Sequence, residues 1–188
     1  PPEIAFPKIK ISGFTSGLIM DANERFFNNK TEITFIEPYP ETLLSRMNDD
    51  DKKKYLVIAK KVQDVPLEEF KKLKKGDILF IDSTHVSKFN SDVNYELFDI
   101  LPNIKSGVTI HFHDVFDGFE YPLQWLKDGW AWNEDYLLRA FLIGNNDYEV
   151  LMMNDYMTKR HSNLLLKSYS KFENNNGGSL WIKKLKKQ

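Results

Sequence analysis

The chain has 188 residues, 41% of them hydrophobic and 28% charged, with a formal net charge of -1 and no cysteine. That is the length and balance of one soluble globular domain spanning residues 1–188. It excludes disulfides, thiolate nucleophiles and cysteine-held zinc, and gives no general electrostatic reason to expect a nucleic-acid partner. Absence of cysteine fits a reducing cytoplasm. No apolar run reaches the length of a membrane span and no signal peptide opens the chain, so a cytoplasmic protein without a membrane partner is expected.

Residues 1–11 are proline-punctuated at the start and read as an irregular segment, with an apolar stub at Ile9–Ile11. Asp21–Phe27 reads as a short helix closed by Asn28 and Asn29. Ile33–Ile36 is a β-branched and aromatic strand stopped by Glu37-Pro38. Leu43, Leu44 and Met47 mark a helix, and Tyr55–Ala59 is another apolar run. Pro66 opens a helix whose buried face is Leu67, Phe70 and Leu73. Asp77–Ile81 is the next strand, and Asp92 caps a helix that runs to Leu101. Val108–Phe112 is a strand, Pro122–Lys127 and Asn133–Phe141 are helices, and Tyr148–Met152 is a strand. His161–Ser168 is a helix, and a turn at Asn174–Gly178 feeds a final strand, Ser179–Lys184. Lysine runs at 52–54, 71–75 and 183–187 alternate with acids and read as solvated helix faces and a frayed tail. Strands alternating with helices predict an α/β domain with a mainly parallel sheet, helices on both faces and an antiparallel C-terminal edge.

Two strand ends carry the chemistry. Ile78–Ile81 runs into Asp82-Ser83-Thr84-His85, and Val108–Phe112 runs into His113-Asp114. Ligands of open α/β sheets bind beyond the carboxyl ends of the strands, so these residues form the expected floor of an active site. The turn Ser12-Gly13-Phe14-Thr15 lets backbone approach a ligand closely. Glu37 follows it by about 20 residues, the separation of a ribose-binding acid in nucleoside-binding folds.

Phe35-Ile36-Glu37-Pro38-Tyr39-Pro40, Val62-Gln63-Asp64-Val65-Pro66, Asp77–His85 and His111-Phe112-His113-Asp114 occur in this order at fitting spacing. Together with Trp132-Asn133-Glu134 and Gly178-Ser179-Leu180-Trp181, they resemble the class I S-adenosylmethionine-dependent methyltransferases of the methyltransferase domain 24 group. The resemblance implies a Rossmann-like, doubly wound fold and S-adenosylmethionine as cofactor. It puts Ser12, Gly13, Phe14 and Thr15 at the methionine end, Glu37 on the ribose, Gln63 and Asp64 at the adenine edge, and Asp82 beside the sulfonium. One departure stands out: Lys8-Ile9-Lys10-Ile11-Ser12 lacks the acid and one glycine of the family's first loop. Either that loop has decayed or a stretch is omitted between Ile11 and Ser12; omission, the favoured reading, predicts a Cα separation there far above the ~3.8 Å of a trans peptide.

Methyl transfer is an in-line displacement in which the enzyme positions the acceptor and manages its proton. Asp82, His113 and Asp114 are the candidate ligands of Mg²⁺ or another divalent metal. In a metal-free site His113 or His85 is the base, with Asp114 beside it. His111 shares a strand face with His113 and reads as a hydrogen-bonded core histidine; His161 reads as a surface residue. Phe116, Phe119, Tyr121, Trp125, Trp130 and Trp132 can wall an acceptor pocket or pack as a helical hairpin. The expected reaction is O-methylation of a small molecule or glycan. The rivals are a metal-dependent, hydroxylase-like tailoring enzyme on the same fold and a degenerate, non-catalytic binding domain. Oligomeric state is not encoded in these motifs.

Overall fold

The computed structural model describes residues 8–11, 15–168 and 177–185. In chain order the elements are β1 (Lys8–Ile11), α1 (Ser16–Phe27), β2 (Glu32–Ile36), α2 (Glu41–Arg46), α3 (Asp49–Lys54) and β3 (Leu56–Ile58). A short 3-10 turn at Val62–Asp64 precedes α4 (Leu67–Lys71) and β4 (Ile78–Ile81). Helix α5 (Asp92–Tyr95) continues through a π-type turn, Glu96–Ile100, into α6 (Leu101–Asn103). Then come β5 (Thr109–His113), α7 (Leu123–Lys127), α8 (Glu134–Leu142), β6 (Tyr148–Met153), α9 (Asn154–Ser168) and β7 (Ser179–Lys184).

The strands form one seven-stranded sheet in the order β3-β2-β1-β4-β5-β7-β6. Pairings among β3, β2, β1, β4 and β5 are parallel, whereas β7 runs antiparallel to both β5 and β6. Two sequence expectations change here. Lys8–Ile11 is a strand between β2 and β4 and not an irregular segment. The C-terminal strand β7 lies inside the sheet, and β6 takes the edge. Burial explains that order: Leu180 and Ile182 of β7 are fully buried, while Val150 and Leu151 of β6 remain half exposed. Lys183 and Lys184 accordingly belong to β7 and not to a frayed tail. Buried Lys184 donates to the Leu101 carbonyl and the Tyr148 hydroxyl.

Side-chain alternation along the strands feeds two apolar clusters. Leu79, Ile81, Ile110 and Phe112 join Val93, Leu97, Ile100, Leu101 and Leu138 in one. Phe80, Ile33 and Phe35 join Met20, Leu43, Met47 and Tyr55 in the other. Full burial of each large side chain contributes roughly 1.5–3 kcal/mol, which is what fixes strand register here. Helix α1 turns Ser16, Met20 and Asn23 inward, one helical turn apart, and starts five residues earlier than the sequence suggested. Asn23 then locks the helix to β2: its amide donates to the Thr31 carbonyl and its oxygen accepts the Thr31 N–H. Helix α3 buries no residue, as its charge run implies, and is held at its start by a reciprocal capping box between Asn48 and Asp51. Helix α9 begins at Asn154, seven residues before the expected start, with non-helical backbone at His161.

Candidate active site

The ends of β4 and β5 lie side by side because Ile81 pairs with Phe112. Asp82 therefore leaves the sheet level with His113, and Asp114 follows one residue beyond. His85 folds back over them in the left-handed region, φ +57, as does Asp114 at φ +55. The imidazole is buried, with Nδ1 2.7 Å from Glu134 Oε2 and Nε2 3.7 Å from Asp82 Oδ1 and 3.9 Å from Asp114 Oδ2. Ser83 Oγ donates to the same Glu134 oxygen and accepts the His85 N–H, both at 2.9 Å. The N–H groups of Asn133 and Glu134 donate to the His85 carbonyl. Trp132 lies against the imidazole face, ring centroids 4.1 Å apart.

Burial disfavours a charge on His85, but the Glu134 hydrogen bond and the charges of Glu134, Asp114 and Asp82 outweigh it, so its pKa is raised above the usual histidine value. Burial also pushes Asp135 up to about 7; the Phe116 N–H bond opposes the rise and the Glu134 charge adds to it. Glu96, within the π-type turn, is driven well above the carboxylate range by burial and by the charges of Glu134, Asp92 and Asp82.

The other histidines differ. His113 is partly exposed, its Nε2 3.8 Å from Asp114 Oδ1. His111 shares that strand face and is a stacked residue. It lies parallel to Phe80 at 4.0 Å and edge-on to Trp181, and its buried Nδ1 has no hydrogen-bond partner among the described residues. His161 is exposed, beside Tyr156. Asn133 starts α8 without a side-chain cap; its amide instead binds the Ser87 backbone at both N–H and carbonyl.

Asp82, His113 and Asp114 do not form the expected metal set. Among the described residues, no group of three or more His, Asp or Glu side chains has the geometry to hold a metal ion. His85 Nε2 faces both carboxylates, at 3.7 and 3.9 Å.

A second site opens at the end of β2. A cleft of about 240 Å³ is lined by Ser16, Gly17, Glu37, Tyr39, Thr42, Leu43 and Arg46. The Glu37 N–H donates to the Ile58 carbonyl, and its Oε1 accepts the Tyr39 N–H at 3.1 Å, which holds the carboxylate at the strand end. Thr15 immediately precedes α1. Ser12, Gly13 and Phe14, and with them the Ile11–Ser12 junction, lie outside the described residues. Gln63 donates to the Asn90 carbonyl at 2.8 Å, tying the 3-10 turn to the loop after β4, and Asp64 is exposed; neither lines the cleft.

A family model for a methyltransferase domain matches residues 11–115, more than half of the chain. The chain belongs to the methyltransferase domain family. The plantazolicin methyltransferase BamL, solved with a triazolic desmethylPZN analog and SAH, shares the fold at 16% identity and a TM-score of 0.50, over 95% of this chain and 77% of that one. A putative methyltransferase from Thermoplasma acidophilum aligns at 13% identity and a TM-score of 0.46, over 96% of this chain and 69% of that one. An uncharacterized protein of Archaeoglobus fulgidus is 43% identical over 72 residues, which span 36% of this chain and 30% of that protein.

In this methyltransferase domain the matched span holds Glu37, Gln63, Asp64, Asp82, His85, His113 and Asp114. Glu134 and Trp132 lie beyond it. The sequence placed both in the motif Trp132-Asn133-Glu134, and Trp132 among the aromatic residues that can wall a pocket, but gave neither a contact with His85.

Proposed function

We propose that this domain transfers the methyl group of S-adenosylmethionine to an oxygen of a small molecule or glycan, on a doubly wound, mainly parallel sheet. The carrying observation is the cleft that joins Glu37 to the start of α1 in a chain of this family. A carboxylate, the Ser16 and Thr42 hydroxyls and the Tyr39 ring suit a ribose and its base. In this reading Glu37 accepts the ribose hydroxyls, the turn through Ser12, Gly13, Phe14 and Thr15 faces the methionine end, and Gln63 and Asp64 border adenine. Asp82 lies toward the sulfonium. The cofactor supplies an electrophilic methyl group.

The rest is done by the β4 and β5 ends. His85 and His113 are the candidates to take the acceptor's proton, with Asp114 between them. Trp125, Trp130 and Trp132 pack ring to ring at 4.8–5.0 Å and carry aromatic surface up to His85. Such faces suit planar or sugar rings, and a net charge of -1 supplies no basic field for a nucleic acid. Among the described residues no helix is long and apolar enough to cross a membrane.

Calorimetric titration with S-adenosylhomocysteine tests the reading. The intact protein binds it, and Glu37→Ala weakens binding by about 1.5–3 kcal/mol, the loss of hydrogen bonds to a charged acceptor. An intact protein that binds neither cofactor nor product overturns the assignment.

A further inference from the structure

We infer that Glu134 is a positioning residue that fixes the His85 imidazole with Nδ1 bound and presents Nε2 at the ends of β4 and β5 as the nitrogen that receives the acceptor's proton. This deepens the methyl-transfer reading and rests on it for the identity of the proton donor.

Glu134 is 1% exposed and Asp135, next to it, is 0% exposed. A carboxylate withdrawn from water persists only where hydrogen bonds replace its hydration. Those bonds converge on one oxygen, Oε2, from His85 Nδ1 at 2.7 Å and Ser83 Oγ at 2.9 Å, while Oε1 has no hydrogen-bond partner among the described residues. Because an ionised carboxylate only accepts, Nδ1 carries the hydrogen, and in a neutral ring Nε2 is then the basic nitrogen.

Orientation is over-determined. Left-handed backbone is unfavourable at a non-glycine residue, and His85 holds it because its neighbours fix it there. Its carbonyl accepts the Asn133 and Glu134 N–H groups at 2.9 and 3.2 Å, its N–H donates to Ser83 Oγ, and Trp132 covers its ring. The start of α8 thus grips both the backbone and the ring of His85. His113 has a different setting: its acidic neighbour is the adjacent Asp114 at 3.8 Å, beyond hydrogen-bond length.

The step balances. As the acceptor oxygen forms its bond to the methyl carbon, the carbon–sulfur bond breaks and its electron pair stays on sulfur, which becomes a neutral thioether. The hydroxyl proton passes to Nε2, and Glu134 at Nδ1, with Asp82 and Asp114 facing Nε2, stabilises the imidazolium that forms. Solvent then takes the proton.

The chain has four histidines, so each ring is resolvable by long-range ¹H–¹⁵N correlation on ¹⁵N-histidine-labelled protein, with His85→Gln assigning the signal. Spectra are recorded on the full chain without cofactor at alkaline pH, where imidazoles are neutral. The expected result is a His85 ring protonated at Nδ1. Glu134→Gln retains an acceptor and keeps that pattern; Glu134→Ala loses it, giving a mixed or Nε2-protonated ring. A His85 protonated at Nε2 in the unaltered protein overturns the inference, as does a pattern indifferent to Glu134→Ala. Should that variant fail to fold, the unaltered protein and Glu134→Gln still decide: loss of the Nδ1 pattern in either overturns it. Titration with S-adenosylhomocysteine in parallel separates the two claims, since failed binding removes the methyl-transfer reading and leaves the ring assignment standing.

Discussion

His85 and His111 end up in opposite electrostatic settings although both are buried histidines at the same end of the sheet. His85 meets three carboxylates, which outweigh its desolvation. His111 meets Phe80, Trp181 and another imidazole, so burial and then the His113 charge push its pKa down to about 3. A depressed imidazole adds stability above its unfolded value near 6.5 and loses it as pH falls toward the folded value. Between pH 7 and pH 5 the loss from His111 is about 2 kcal/mol. His111→Phe keeps the stacked volume and removes the titration, so urea unfolding at the two pH values should show that much less acid destabilisation in the variant. Equal losses in both proteins refute the assignment. Strand alternation made the shared face of His111 and His113 legible, because Cβ direction has a period of two. The depressed pKa of His111 was not legible, because the ring stacked on it comes from β4.

At the scale of elements, the turn into β5 depends on Gly107. Its φ is +84, and a Cβ there would lie 2.5 Å from Lys75 Cγ. The same residue bonds in both directions: the Gly107 N–H donates to the Lys184 carbonyl, and its carbonyl accepts the Gly76 N–H. Gly107→Ala should cost about 1–2 kcal/mol through left-handed strain and crowding. For a domain of this length that lowers the thermal midpoint by roughly 2–8 °C; an unchanged midpoint would show that the turn relaxes freely. Most elements were readable because hydrophobic period and turn residues are local signals. Helix α1 began earlier than expected because Gly17 stands in its first turn and weakens the helical pattern. The strand Lys8–Ile11 was read only as a stub, since two lysines interrupt it; its place comes from pairing with β2 and β4 on either side.

For the whole molecule, β7 is the strand that closes the sheet. It covers the free side of β5 with five paired positions, from Thr109–Lys183 to His113–Ser179, and β6 reaches the sheet through it. A chain stopped after Ser168 leaves the β5 edge unpaired and uncovers Ile110 and Phe112. Such a truncation should show no cooperative thermal transition by circular dichroism and should elute as aggregate; a monomeric product with a sharp transition would disprove the role of β7.

The sequence by itself determined the α/β alternation, the acid after β2, and the acids and imidazoles at the ends of β4 and β5. Those are signals within a few residues, set by backbone period and by where polar side chains interrupt apolar runs. The tertiary structure decided what the polar groups do. It puts Glu134 against His85 from 49 residues away and Glu37 beside the first turn of α1. It also sets His85 across Asp82 and Asp114. Hydrogen bonds and charge interactions depend on distance through space, and that distance exists only once the sheet order and the loop before α8 have brought separate segments together.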